Sequence, residues 1–152
     1  MSSMRNLALF AACLMVSGSA HAQVKKSADF VKATYTAGKI EGGKQTVTIT
    51  LDIDSKHHLY ANPVGNPDME SVQTTVAFTS GTAKLPADLK FPAGLLKKEK
   101  VGGDYMIWKG KVVITAVVPR TAATTPLEAA IAIQACTDSS CKQPSTIKLK
   151  ID

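Results

Sequence analysis

Two cysteines near the C-terminal end are the residues with the clearest chemical potential. Cys136 and Cys141 are separated by four residues, and a disulfide between them could either stabilise the fold or exchange with other thiols. Closing a loop of six residues stabilises a protein by only about 2 kcal/mol in the chain-entropy treatment, so the pair is a weak staple. The spacing also differs from the two intervening residues of thioredoxin-type motifs. The residues alone therefore leave a structural and a redox-active disulfide equally open.

The surroundings of the two cysteines give mixed indications about reactivity. Lys142 follows Cys141 directly and favours its thiolate, whereas Asp138 opposes ionisation of either cysteine. The strand predicted before Cys136 alternates, and its candidate core positions are Leu127, Ala129, Ile131 and Ile133. On this alternation Gln134 and Cys136 face the other side, so Cys136 is expected to point outward or toward a covering loop. That position suits thiol exchange, because an attacking thiolate must reach the disulfide sulfur.

The N-terminus predicts export. Arg5 gives a positive region, residues 7–16 are apolar, and residues 20–22 form a small-x-small pattern. We expect residues 1–22 to be a signal peptide cleaved before Gln23. A lipoprotein signal with Cys13 as the acylated residue is the less favoured alternative.

Cleavage would leave a mature domain of residues 23–152 whose only cysteines are Cys136 and Cys141. An exported bacterial chain meets the oxidising periplasm, where two thiols so close in sequence are expected to pair. The predicted location is therefore the periplasm.

Composition narrows the class of protein. The chain has 152 residues, of which 45% are apolar and 20% charged, with a formal net charge of +6 that falls to +5 without Arg5. These values fit one ordinary globular domain and argue against disorder. After the N-terminus no apolar run approaches the roughly 20 residues of a transmembrane helix. The lysines are scattered without interleaved aromatic residues, so no nucleic-acid partner is predicted.

Alternation with a period of two dominates the mature sequence, as in residues 46–54, and indicates strands. The predicted strands are residues 30–36, 46–54, 72–79, 105–118, 127–136 and 145–151. Glycine and proline clusters separate them, residues 63–71 are predicted to form a longer loop, and helical periodicity is nearly absent. Six to eight short strands predict an all-β sandwich in a single domain.

Two histidines raise the question of a metal site. His57 and His58, with Met69, Met106 and the cysteines, could suit Cu(I). Neighbouring residues on a strand point to opposite faces, however, so a copper-binding periplasmic protein is the least favoured reading and no metal or organic cofactor is predicted. Tyr60 and Trp108 are interpreted as core or cap-supporting aromatic residues.

Several segments together resemble one family. They are Lys-His-His-Leu-Tyr-Ala-Asn-Pro at residues 56–63, residues 72–78 and 107–119, and Ala135-Cys136 with Cys141-x-x-Pro144. They are similar to the N-terminal domain of the DsbD thiol:disulfide interchange proteins, over most of the mature chain. The resemblance implies an immunoglobulin-like β-sandwich in the periplasm.

The resemblance also implies an exchangeable disulfide in which Cys141 forms the mixed disulfide and Cys136 resolves it. The implied partners are thioredoxin-like redox proteins or a membrane electron conduit, and oxidised periplasmic proteins. Some members of the family have five residues between the cysteines and Tyr-Pro-Pro after the second, where this chain has four residues and Lys-Gln-Pro. The conduit and thioredoxin-like domain of full-length members are not in this sequence.

Two functions are thus predicted for testing. The first is a thiol:disulfide oxidoreductase-type module that passes reducing equivalents through Cys136 and Cys141. The second is a non-catalytic adaptor sandwich with a structural disulfide. Under the first, residues 97–105 are expected to act as a lid over the disulfide, with Val101 and Tyr105 as shielding side chains; the alternative is a surface loop without contact to the cysteines.

Overall fold

The computed structural model describes residues 24–152, and these residues are almost entirely β-structure. The predicted signal peptide, with Cys13, lies outside the described residues. Two short 3-10 helices, Ser27–Phe30 and Pro67–Val72, interrupt the strands. The strands are β1 Val31–Glu41, β2 Lys44–Ile53, β3 His58–Tyr60, β4 Thr75–Ser80, β5 Ala83–Leu85, β6 Asp88–Lys90, β7 Leu95–Lys97, β8 Tyr105–Trp108, β9 Lys111–Pro119, β10 Leu127–Ile133, β11 Ala135–Cys136 and β12 Ser145–Ile151.

The strands form three four-stranded antiparallel sheets. The first has the order β1-β2-β9-β6, the second β12-β10-β4-β5, and the third β11-β3-β8-β7. Alternation in β2 explains how the first two sheets pack: Val47, Ile49 and Leu51 are fully buried while the residues between them face outward. Together the first two sheets enclose the main core, which includes Phe78 and Ile131 of the second sheet. The prediction of an all-β, immunoglobulin-like sandwich is confirmed.

The third sheet is built from strands of two to four residues and carries a second, smaller core. We call this group the site cluster: Tyr60, Val64, Tyr105, Ile107 and Cys136. Its neighbours Met69 and Val72 come from the 3-10 helix in the segment predicted as a long loop.

Five of the six predicted strands have different bounds in the structure, and in three of them the difference changes the architecture. Residues 105–118 are two strands, because Gly110 has a φ of +65° and the chain changes sheet there. Residues 127–136 are likewise divided at Gln134 into β10 and β11, which belong to different sheets. The strand predicted from Val72 begins at Thr75, since Val72 ends the 3-10 helix. The described chain also has more strands than the six to eight predicted, because strands of three residues are too short to show alternation.

Among residues 24–152, no helix has the length and apolar character that a bilayer crossing requires.

Candidate functional site

The disulfide lies at the edge strand of the third sheet. Cys136 and Cys141 are bonded with an S–S distance of 2.05 Å. Cys136 is 1% exposed and belongs to the site cluster, whereas Cys141 is exposed. Of the two orientations predicted for Cys136, the outward one is wrong: its side chain lies in the smaller core and not in the main core. Cys141 is therefore the cysteine of the pair that a partner can reach.

The backbone of the cysteine loop, residues 136–141, is held by its own hydrogen bonds. The Thr137 amide donates to the Ser140 carbonyl at 2.8 Å, and the Lys142 amide donates to the Ala135 carbonyl at 2.8 Å. The Thr137 hydroxyl oxygen accepts from the Ser140 amide at 3.1 Å. The loop is thus an ordered turn that presents Cys141 at its end.

A buried serine from the first 3-10 helix ties down both ends of this segment. The Ser27 hydroxyl donates to the Gln143 carbonyl at 2.7 Å and accepts from the Ala135 amide at 2.9 Å. Ser27 is 0% exposed, so both hydrogen bonds are shielded from water. Sequence reasoning missed this residue, because Ser27 lies 108 positions from Ala135 and no local pattern marks the contact.

Tyr60 contacts the disulfide directly. Its hydroxyl oxygen lies 3.6 Å from the sulfur of Cys136 and 3.6 Å from the sulfur of Cys141, and only the hydroxyl can donate while the disulfide is intact. Burial raises the pKa of Tyr60, with a smaller contribution from Tyr105. The ring of Tyr105 packs on that of Tyr60 with centroids 5.5 Å apart. Of the two interpretations of Tyr60, the structure supports a core residue, which belongs to the site cluster, and its hydroxyl adds a hydrogen-bond donor to the site. Trp108, the other aromatic residue in that interpretation, is buried in the main core.

The predicted lid loop, residues 97–105, does meet the cysteine loop, but through charge. The Lys97 ammonium lies 3.1 Å from the Asp138 carboxylate and 3.9 Å from that of Glu99. The hydrogen bond from Lys97 holds the pKa of Asp138 below its usual range. The negative charge expected to oppose cysteine ionisation is thus balanced by Lys97.

The shielding role predicted for Val101 is wrong, and the one predicted for Tyr105 is supported. Val101 is 89% exposed and cannot cover a buried sulfur. Tyr105 is 9% exposed, lies in the same cluster as Cys136 and packs on the ring of Tyr60. The side chain of Asn66 is bound to the loop of residues 97–105, since its amide donates a hydrogen bond to the Gly102 carbonyl at 2.8 Å.

We expect Lys97→Ala to speed reduction of the disulfide by dithiothreitol by about 1.4- to fivefold, because a surface ion pair of this kind is worth about 0.2–1 kcal/mol. Raising the salt concentration should narrow the difference, since salt screens the pair in the original protein. Lys98→Ala, which removes an exposed charge from the same loop, is the matched control and should react like the original protein. Equal rates for all three proteins would show that the ion pair does not restrict access.

Lys142 and His57, which are near the cysteines in sequence or structure, contact residues other than the cysteines. Lys142 does not sit free beside Cys141; its ammonium lies 5.4 Å from the ring centroid of Phe30. The His57 ring stacks on the same Phe30 with centroids 4.0 Å apart, and its Nδ1 lies 2.8 Å from an Asp54 carboxylate oxygen.

His58 instead faces the disulfide side, edge-on to Tyr60 with centroids 6.2 Å apart. His57 and His58 therefore point to different neighbours, as alternation along a strand requires. Within residues 24–152 no three histidine, cysteine or acidic residues form a cluster suited to a metal ion.

Fold and site together define a class: a small immunoglobulin-like β-sandwich with one buried and one exposed cysteine bonded at the edge of a sheet. The sequence model of the N-terminal domain of the thiol:disulfide interchange protein DsbD matches residues 27–152. The chain belongs to this family. None of the curated proteins compared with it is significantly similar in sequence.

Solved structures agree with the family at the level of the fold. The N-terminal domain of DsbD from Neisseria meningitidis in its reduced form is 15% identical, with a TM-score of 0.55 over 86% of this chain and 90% of that one. The N-terminal periplasmic domain of ScsB from Proteus mirabilis is 15% identical, with a TM-score of 0.57 over 82% of this chain and 47% of that one. A complex of the DsbD and PilB N-terminal domains from Neisseria meningitidis contains a chain that is 12% identical, with a TM-score of 0.52 over 78% of this chain and 80% of that one.

Proposed function

We propose that this protein is an exported thiol:disulfide exchange module of the periplasm, which passes reducing equivalents between thioredoxin-like proteins and oxidised exported proteins. Cys141 attacks and is attacked, and Cys136 resolves the mixed disulfide. The observation that carries this proposal is the unequal exposure of the two bonded cysteines, with Cys141 exposed and Cys136 1% exposed. A partner thiolate approaching in line with the S–S bond can then reach only one sulfur.

The chemistry of exchange balances between two pairs of cysteines. The thiolate of reduced Cys141 attacks a sulfur of the oxidised partner and forms an intermolecular disulfide, while the other partner sulfur leaves as a thiolate. Cys136 then loses its proton and attacks Cys141, which releases the second partner sulfur. Two electrons pass to the partner, and Cys136 and Cys141 end as the disulfide seen in the structure.

Two exposed leucines on the edge strand beside the site support binding of a protein partner. Leu95 and Leu96 on β7 are 58% and 57% exposed, and the next residue, Lys97, contacts the cysteine loop. Because neighbouring residues on a strand point to opposite faces, the two leucines offer a partner one apolar contact on each face of this edge strand. A DsbD N-terminal domain has been seen in complex with the PilB N-terminal domain, which supports a protein partner for the same fold.

A redox titration tests the proposal against a structural disulfide. We expect the Cys136–Cys141 pair to equilibrate at a potential above about −300 mV, the range of exchangeable disulfides, with the fold retained on both sides of the transition. Loss of a six-residue loop closure costs about 2 kcal/mol, against a domain stability of about 5–15 kcal/mol.

The titration is read by thiol alkylation and mass spectrometry, and the fold by circular dichroism at 25 °C. The double variant Cys136→Ser with Cys141→Ser is the control, because its spectrum cannot respond to the redox buffer. A potential well below −300 mV, or global unfolding on reduction, would favour the adaptor with a structural disulfide.

A further inference from the structure

His58 lies directly across from the buried cysteine. In the short ladder between β3 and β11, His58 pairs with Cys136, and side chains directly opposite each other in an antiparallel pair lie on the same face with Cβ atoms about 4.5–5.5 Å apart. His58 is 2% exposed, and its Nε2 atom is buried without a hydrogen-bond partner. Buried polar atoms are nearly always paired. Nε2 of His57 is unpaired as well, but of the two histidines it is His58 that pairs with Cys136 across the ladder.

In the proposed exchange, the Cys136 thiol must lose its proton before it can resolve the mixed disulfide. Only a thiolate attacks a disulfide, yet Cys136 is buried in the site cluster, where burial opposes the formation of a charged thiolate. Tyr60 can donate a hydrogen bond to that thiolate, but its raised pKa makes it no acceptor for the proton. A base next to Cys136 would therefore speed the formation of its thiolate.

Among the titratable groups around Cys136, His58 is the one that is neutral and unpaired and so can act as this base. Lys97 and Lys109 are cationic and keep the imidazole neutral, Asp138 is exposed and already paired with Lys97, and His57 is bonded to Asp54. Burial, with the two lysines, lowers the pKa of His58 to about 4, so the ring is neutral at neutral pH. When the Cys136 thiolate forms, its negative charge favours the imidazolium form of His58 and so raises the pKa of His58.

We propose that His58 Nε2 accepts the proton of the Cys136 thiol in the step that resolves the mixed disulfide, an inference that rests on the exchange function proposed above. In the tautomer with its proton on Nδ1, His58 takes the proton from the sulfur and becomes imidazolium. The electron pair left on Cys136 forms the bond to the Cys141 sulfur. The bond from Cys141 to the partner breaks, and the partner sulfur leaves with its electron pair.

The two steps can be timed separately with a small reagent, so that no protein partner is needed. Reduced protein mixed rapidly with 4,4′-dithiodipyridine releases one thiopyridone when Cys141 attacks and a second when Cys136 resolves. In the original protein the second phase should change little with pH between about pH 5 and 7, because an internal proton transfer takes no proton from or to water. In His58→Gln the rate of the second phase should fall about tenfold for each unit by which the pH is lowered, because the thiolate must form by loss of a proton to water. At pH 5 it should be about a hundredfold slower than in the original protein, the lower side of general-base effects.

His57→Gln is the matched control, because it makes the same change at the adjacent buried histidine, which faces Phe30 and Asp54. It should leave both phases unchanged. The proposal is overturned if His58→Gln keeps the pH profile of the original protein. It is also overturned if the rate of the second phase in the original protein falls tenfold for each unit by which the pH is lowered, a result that requires no variant. A flat profile that depends on His58, in a protein that exchanges with no thioredoxin-like domain, would support this role and reject the wider function.

Discussion

Cys136→Ser is expected to stop at a covalent complex with a thioredoxin-like partner, whereas Cys141→Ser should form none. Without the Cys136 thiol nothing resolves the mixed disulfide on Cys141. Without Cys141 the remaining thiol is 1% exposed and a protein partner cannot reach it. We expect nearly complete trapping in the first variant and exchange at the background rate in the second.

A thioredoxin variant that keeps only its exposed cysteine, activated as the mixed disulfide with thiopyridine, provides the partner. Thiopyridone release reports the attack, and non-reducing electrophoresis with mass spectrometry identifies the covalent complex. The original dithiol protein is the control, since it should form the complex and then release the thioredoxin. Trapping through Cys136, with Cys141 silent, would reverse the two roles.

Arg120→Met is expected to destabilise the fold by about 3 kcal/mol without changing the disulfide potential. Arg120 is 4% exposed and donates hydrogen bonds to the carbonyls of Ala123, Thr125 and Ile151 and to the side chain of Gln45. Each buried acceptor that loses its donor costs about 1–3 kcal/mol. These contacts lie where β10 begins and β12 ends, at the end of both strands away from the cysteine loop.

Urea unfolding of the oxidised proteins measures the loss. Lys111→Met is the matched control: it makes the same loss of positive charge and gain of an apolar side chain at an exposed position of β9, and should stay within about 0.5 kcal/mol of the original protein. A loss below about 1 kcal/mol for Arg120→Met would mean that water replaces the guanidinium at those carbonyls.

Local pattern was sufficient where each strand buries one face. The alternation of Val47, Ile49 and Leu51 predicted β2, and residues 145–151 were predicted with the bounds of β12. The local pattern did not predict that the chain changes sheet at Gly110 and Gln134. Such a change depends on tertiary packing, and the alternation continues in the sequence on both sides of it.

The cysteines themselves could be found from residue type and spacing, but their surroundings could not. Lys97 and Asp138 are 41 positions apart, and no single-sequence pattern indicates that they meet. A signal was present for the face shared by His58 and Tyr60, since they are two residues apart on a strand. Its importance became visible only with the pairing of His58 and Cys136.

The separation of the two cores has a consequence for the cooperativity of the molecule. Cys136 packs in the site cluster, and the large apolar residues of the sandwich, such as Phe78 and Ile131, belong to the other core. We therefore expect that breaking the disulfide changes the packing of the site cluster first, while Leu59, Trp108 and Ala135 keep the short strands packed on the main core. If the disulfide turns over as proposed, the site cluster can rearrange around a partner while the main core keeps the chain folded in both redox states.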